Sequence, residues 1–194
     1  MMKYLVFVGM IFSLTGSALY IKEMLKGKAK PNRVSWLIWS IAPLIATFAE
    51  LSSGVTLAAI PVFMSGFGSL LVFVISLFRK EAYWKVNTFD WGCGILSVLA
   101  LILWYITKNP EIAIVFSILS NMFASLPTML KSWKHPATES SIAYIGGLLS
   151  AATSFAAIEI WNFASLTFPT YLVLNNLTLI FLIEHERFMK KRRS

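Results

Sequence analysis

Asn175 and Asn176 stand side by side near the middle of a long apolar run, and Asn121 stands beside Ser120 in another. A carboxamide turned toward lipid leaves donors and an acceptor unpaired, at a cost of roughly 2–7 kcal/mol, so each must be met by a neighbouring helix or by a polar solute. Adjacent helical residues diverge by about 100°, so at most one of the pair faces a given cavity; solute binding and interhelical packing weigh evenly for the two. The chemistry open to such groups is hydrogen bonding to neutral hydroxyls and amides. Glu50 is the only formal charge inside the apolar runs, and Glu159 follows the end of another. Both are candidates for an outer gate, with solvation at a helix end as the plainer role. His135 and His185 lie in polar segments and Asp90 borders a run. With no paired carboxylates, metal-ligand spacing or nucleophile motif, neither catalysis nor a metal or cofactor is expected.

The elements that must position these groups follow from composition. The 194 residues are 57% hydrophobic and 13% charged, with a mean hydropathy of +0.71, too little polar surface to cover a water-soluble globule. A hydrocarbon core about 30 Å thick needs about 20 mostly apolar residues per helix. Seven runs qualify, at 4–21, 34–51, 55–78, 91–107, 112–130, 141–158 and 163–183, predicting an all-α integral membrane protein of seven transmembrane helices. The lone Cys93 lies in the fourth run and is read as a small packing residue. The first run imitates a signal peptide around Gly16-Ser17-Ala18 but is followed by five basic residues, the pattern of a retained helix.

The formal charge of +8 is not gathered on a soluble domain, so it points to membrane orientation rather than to nucleic acid. Five Lys and Arg follow the first run, three the third and two the fifth, and five end the chain, so fifteen of seventeen lie on one side. This predicts the N-terminus outside and the C-terminus in the cytoplasm, in a plasma or inner membrane. Trp36, Trp39, Trp84, Trp91, Trp104, Trp133 and Trp161 are assigned mostly to the headgroup belt.

The two ends of the chain can be laid over each other. Ala46-Thr47-Phe48-Ala49 falls over Thr153-Ser154-Phe155-Ala156, Pro61 over Pro169, and Met24-Leu25-Lys26 over Met129-Leu130-Lys131. Such self-similarity marks transporters built from repeats, with the site where they meet. The predicted units are a three-helix repeat at 1–86, a linker helix at 87–109 and a second repeat at 110–194; the inserted helix makes the two repeats parallel. Trp39 and Tyr144 occupy corresponding positions and are candidates for stacking on a sugar ring or closing the cytoplasmic side.

With this arrangement the chain resembles the SWEET and PQ-loop family of membrane transporters over nearly its whole length. The most similar segments run from Ala124-Ser125-Leu126-Pro127-Thr128-Met129-Leu130-Lys131 to Thr138-Glu139-Ser140-Ser141, and from Tyr20 through Pro31-Asn32-Arg33-Val34-Ser35. Pro127-Thr128 keeps only the proline of the family's Pro-Gln dipeptide. The resemblance implies a 3+1+3 facilitator that moves a small neutral polar solute, most of all a sugar, by alternating access. It implies Pro127 and Pro43 as hinges and an asparagine at mid-depth of the seventh helix as a ligand for sugar hydroxyls. The implied partners are the solute, the bilayer and a second copy of the chain. The matching stretch of the third run, Gly66-Phe67-Gly68-Ser69, has no asparagine. A proton-coupled amino-acid exporter and a non-transporting receptor or scaffold are the alternatives.

Overall fold

The computed structural model describes residues 2–78, 84–107 and 109–193, without the side chains of 100, 101, 104 and 186–193. The described residues form helices joined by short turns, with no strand among them. The helices are α1 (Leu5–Leu25), α2 (Arg33–Ser52), α3 (Ile60–Leu77), α4 (Thr88–Thr107), α5 (Pro110–Lys134), α6 (Ile142–Ala157) and α7 (Phe163–Arg193). Their ends follow local chemistry. The Asn32 side chain accepts from the amides of Val34 and Ser35 and so starts α2. Asn109 does the same for Glu111 and Ile112, with Pro110 in the first turn where its missing N–H costs nothing. Asn162 and Ser165 cap α7 reciprocally, each side chain accepting from the other's amide, at 3.0 and 3.1 Å. The turns after α1 and α2 use Gly27 and Gly54 at φ 74° and 83°, a left-handed backbone that a side chain would strain.

Among the described residues, five stretches are long and apolar enough to cross a membrane: Met2–Leu25, Arg33–Ser52, Leu57–Leu77, Pro110–Lys134 and Phe163–His185. The chain is therefore a multi-pass membrane protein. In agreement to within one residue at each end with the run expected at 141–158, α6 stops where Ile158 becomes extended at φ −69°, ψ 116°, after 16 residues. At 1.5 Å per residue that is about 24 Å, shorter than the hydrocarbon core. The stretch Thr88–Leu99 of α4, up to the first residue whose side chain is not described, is shorter still.

Large apolar side chains such as Ile11, Phe48, Leu99 and Phe181 point outward, while serines, threonines and glycines lie between helices. That inversion of a soluble core is what lipid favours, since small residues let helices approach where no hydrophobic force separates inside from outside. α3 packs against both α1 and α2, and α7 against both α5 and α6. Across the middle, α1 lies against α6 and α2 against α5, with α4 applied to the outside of α5 and, less, of α2. The α1/α6 contact is nearly backbone on backbone: a Cβ on Gly146 would stand 2.5 Å from the carbonyl oxygen of Phe12.

The connections after α1, α3 and α5 meet at one end, where the Lys30 amide donates to the Thr138 carbonyl at 2.9 Å and the Trp84 amide to the Pro31 carbonyl at 3.0 Å. This basic end carries Lys22, Lys26, Lys28, Lys30, Arg33, Lys85, Lys131 and Lys134. Arg79, Lys80 and Lys108, used in the charge count, lie outside the described residues, as do the side chains of Trp104 and of Arg187, Lys190, Lys191, Arg192 and Arg193 in the basic tail. At the far end, Lys3 is paired with Glu159 at 2.9 Å. The interior has two clusters. The far half is filled by small residues including Ala46, Ala49, Ala113 and Ala151 around Val62 and Phe168. The half toward the basic end is bulkier, with Tyr20, Met24, Trp36, Trp39 and Tyr144.

Candidate functional site

Between the two clusters lies a cavity of about 50 Å³. Two pairs of hydroxyls at i, i+4 spacing reach it, Ser13 and Ser17 from α1 and Ser65 and Ser69 from α3, each pair sharing a helix face. Opposite them, α2 supplies Trp36 and Trp39, α5 Asn121, α6 Tyr144 and Gly147, and α7 Leu172, Asn175 and Asn176. The five residues singled out from the sequence as solute contacts, Asn175, Asn176, Asn121, Trp39 and Tyr144, are thus brought together around one cavity. Among the described residues, no charged side chain lines it.

The lining groups differ in how well they are partnered. The Asn176 amide nitrogen donates back to the Leu172 carbonyl at 2.8 Å. Its carboxamide is seated over Gly147, where a Cβ would stand 3.1 Å from the Asn176 Oδ1 and press on it. Asn121 Oδ1 accepts from the Tyr171 hydroxyl at 2.8 Å, and its backbone carbonyl accepts from Trp39 Nε1, which also donates to Ser125 Oγ at 3.1 Å. Asn121 and Trp39 are therefore committed to neighbours. Two buried polar atoms of lining residues have no protein partner, Asn175 Oδ1 and Tyr144 Oη, while Trp36 Nε1 has the Tyr20 hydroxyl beside it. Together the two offer an acceptor and a hydroxyl that can donate or accept. Leaving such groups unmet costs about 1–3 kcal/mol each, and each has less than 1 Å² of its own surface open, so a polar molecule meets them only when the helices around the cavity part.

Aromatic rings close the cavity toward the basic end. Trp36 lies 4.8 Å from Tyr20, 5.4 Å from Trp39 and 6.3 Å from Tyr144, and Trp39 meets Tyr144 edge-on at 6.0 Å. Trp36, assigned from the sequence to the headgroup belt, is only 3% exposed. Its spacing of three from Trp39, which puts the two indoles on one helix face, was the signal for this place. The hydroxyl pairs of α1 and α3 were also missed, although their i, i+4 spacing is visible in the sequence.

The residues considered for gating are placed apart. Glu159 is exposed at the far end, where Lys3 holds its carboxyl below the usual carboxylate range, first by a hydrogen bond and then by charge. Glu50 is not solvated at a helix end but wholly buried, and neither carboxylate oxygen has a partner. The two acids are not joined to each other. Pro43 and Pro127 both lie buried inside helices, in α2 and α5. Each removes the amide that would bond the carbonyl four residues back, a place where a helix bends at lower cost.

Comparison with family models, with curated proteins and with solved structures finds no match for this chain.

Proposed function

We propose that the chain is a SWEET-like carrier that moves a small neutral polar solute, with sugars the first class to test, through a seven-helix membrane bundle of 3+1+3 layout. The observation that carries this reading is the pair of unpartnered polar atoms, Asn175 Oδ1 and Tyr144 Oη, on residues around a cavity that no charged side chain among the described residues lines. Such a set suits a neutral molecule that both donates and accepts, and it suits neither an ion nor an acid.

Helix neighbours support the layout. Exchanging α1 with α5, α2 with α6 and α3 with α7 turns the α1/α6 contact into α5/α2, and the two contacts of α3 into those of α7. A pair of like three-helix units with their site at the junction has this property. The charge pattern supports an external N-terminus and a cytoplasmic basic end. A cavity of about 50 Å³ has room for a few waters, against about 300–1,000 Å³ for the pockets of drug-sized ligands. A sugar ring requires the units to part, which is the motion of alternating access.

Thermal melting of the purified protein against neutral sugars and polyols, amino acids and short peptides tests the proposal. A neutral solute at a hundred times its dissociation constant should stabilise the fold by about 2.7 kcal/mol. Stabilisation by charged solutes alone would overturn it. One observation favours the second reading, a proton-coupled exporter: the buried, unpartnered Glu50. Uptake into vesicles that follows the solute gradient and ignores an imposed proton gradient supports the facilitator; concentrative uptake with acid outside supports the exporter.

A further inference from the structure

We infer that Tyr20, Lys131 and Glu139 form a latch that holds the cavity shut toward the basic end, so that the resting protein is closed on that side. The inference rests on the proposed carrier in taking α1–α3 and α5–α7 as the bodies that part.

Glu139, just before α6, accepts from the Tyr20 hydroxyl of α1 at 2.5 Å and pairs through its other oxygen with Lys131 in the last turn of α5. Lys131 also donates to the Lys30 carbonyl, in the connection after α1, at 2.6 Å and lies over the Trp84 ring at 5.5 Å. The side chains of Lys131 and Glu139 are 1% and 0% exposed. A buried pair of this kind holds only when its remaining donors and acceptors are met, and here the Tyr20 hydroxyl and the Lys30 carbonyl meet them.

Two of these bonds, Tyr20 to Glu139 and Lys131 to Lys30, run from one body to the other. The basic end cannot open while they stand. Directly beneath, Tyr20 packs on Trp36, so the residue that closes the latch also belongs to the ring layer over the cavity. At the far end, the ion pair between the bodies is Lys3 with Glu159, and it is exposed. Exposed pairs are screened by water and hold little. The two ends are therefore unequally tied, and the far end is the easier to open.

The test uses a Cys93→Ala background with Ser69→Cys as a reporter in the cavity, in membrane vesicles that present the basic end outward, as judged by labelling of a cysteine at Lys28. No solute is needed, so the outcome is independent of what the cavity binds. With the latch intact, a small impermeant thiol reagent should label Ser69→Cys slowly. Tyr20→Phe and Glu139→Gln should each speed labelling by about tenfold to a hundredfold, the effect of losing a hydrogen bond to a charged group on a two-state equilibrium. Lys3→Ala should not speed it. Tyr20→Phe changes no charge and little shape, so it keeps the test alive if Glu139→Gln does not fold. Fast labelling with the latch intact, or unchanged labelling in folded variants whose melting temperature falls, would show an ordinary structural ion pair and overturn the latch.

Discussion

Asn175 and Asn176 are one step apart on α7 and meet different surroundings. Asn175 presents an unpartnered oxygen, while Asn176 is back-bonded to Leu172 and seated over Gly147. Asn175→Ala is expected to weaken solute binding by roughly threefold to a hundredfold, from a lost hydrogen bond and a stranded solute hydroxyl, with the melting temperature held. Asn176→Ala is expected to lower the melting temperature, with less effect on the affinity of molecules that remain folded. Measuring both quantities for both variants checks the division, and a reversed pattern would move the solute to the other face. Glu50 gives the opposite kind of prediction. Replacing an unpartnered buried carboxyl by an apolar side chain of similar length, Glu50→Met, is expected to stabilise the fold by about 1–4 kcal/mol. A loss of stability would mean that the carboxylate has a partner. The central asparagines were legible because an amide in an apolar run has few explanations. Lys131 and Glu139 were not, because both are of types that normally lie in water and their meeting depends on how a helix end and a loop fold together.

Among the elements, α1 and α6 carry the closest approach. A Cβ on Gly146 would stand 2.5 Å from the Phe12 carbonyl oxygen and 3.0 Å from Gly16 Cα, atoms of a neighbouring backbone that can move only by moving the helix. Gly146→Ala should therefore cost about 1–3 kcal/mol, read as a lower melting temperature in detergent. Gly92→Ala on α4, where a Cβ meets nothing within 4 Å, should be neutral or stabilise by up to about 1 kcal/mol. Equal losses in the two variants would count against the packing described. Most helices were legible as apolar runs because a helix in lipid needs length and little else. The end of α6 was legible to within one residue, since the apolar run stops at Ile158 before Glu159 although no glycine or proline marks the turn. Trp36 was misplaced because the belt rule reads position along a helix and is blind to which side of it an indole occupies.

For the whole molecule, the meeting of three connections at the basic end and of Lys3 with Glu159 at the other fixes which segments share a side. A cysteine beside Lys28 is expected to be shielded from impermeant thiol reagents in intact cells and one beside Pro110 to react, in a Cys93→Ala background. The opposite labelling would invert the protein in its membrane and leave the bundle itself untouched. The ring layer has one more consequence, an optical one. Trp36 and Trp39 are 3% and 5% exposed beside the cavity, whereas Trp91, Trp133 and Trp161 are 61%, 51% and 65% exposed at the surface. Indole emission shifts to longer wavelength when the ring is wetted, so separation of the helices around Trp36 and Trp39 would write itself into the intrinsic fluorescence. Phenylalanine at Trp91, Trp133 and Trp161, and also at Trp84 and Trp104, would leave a protein that reports its own opening without a label.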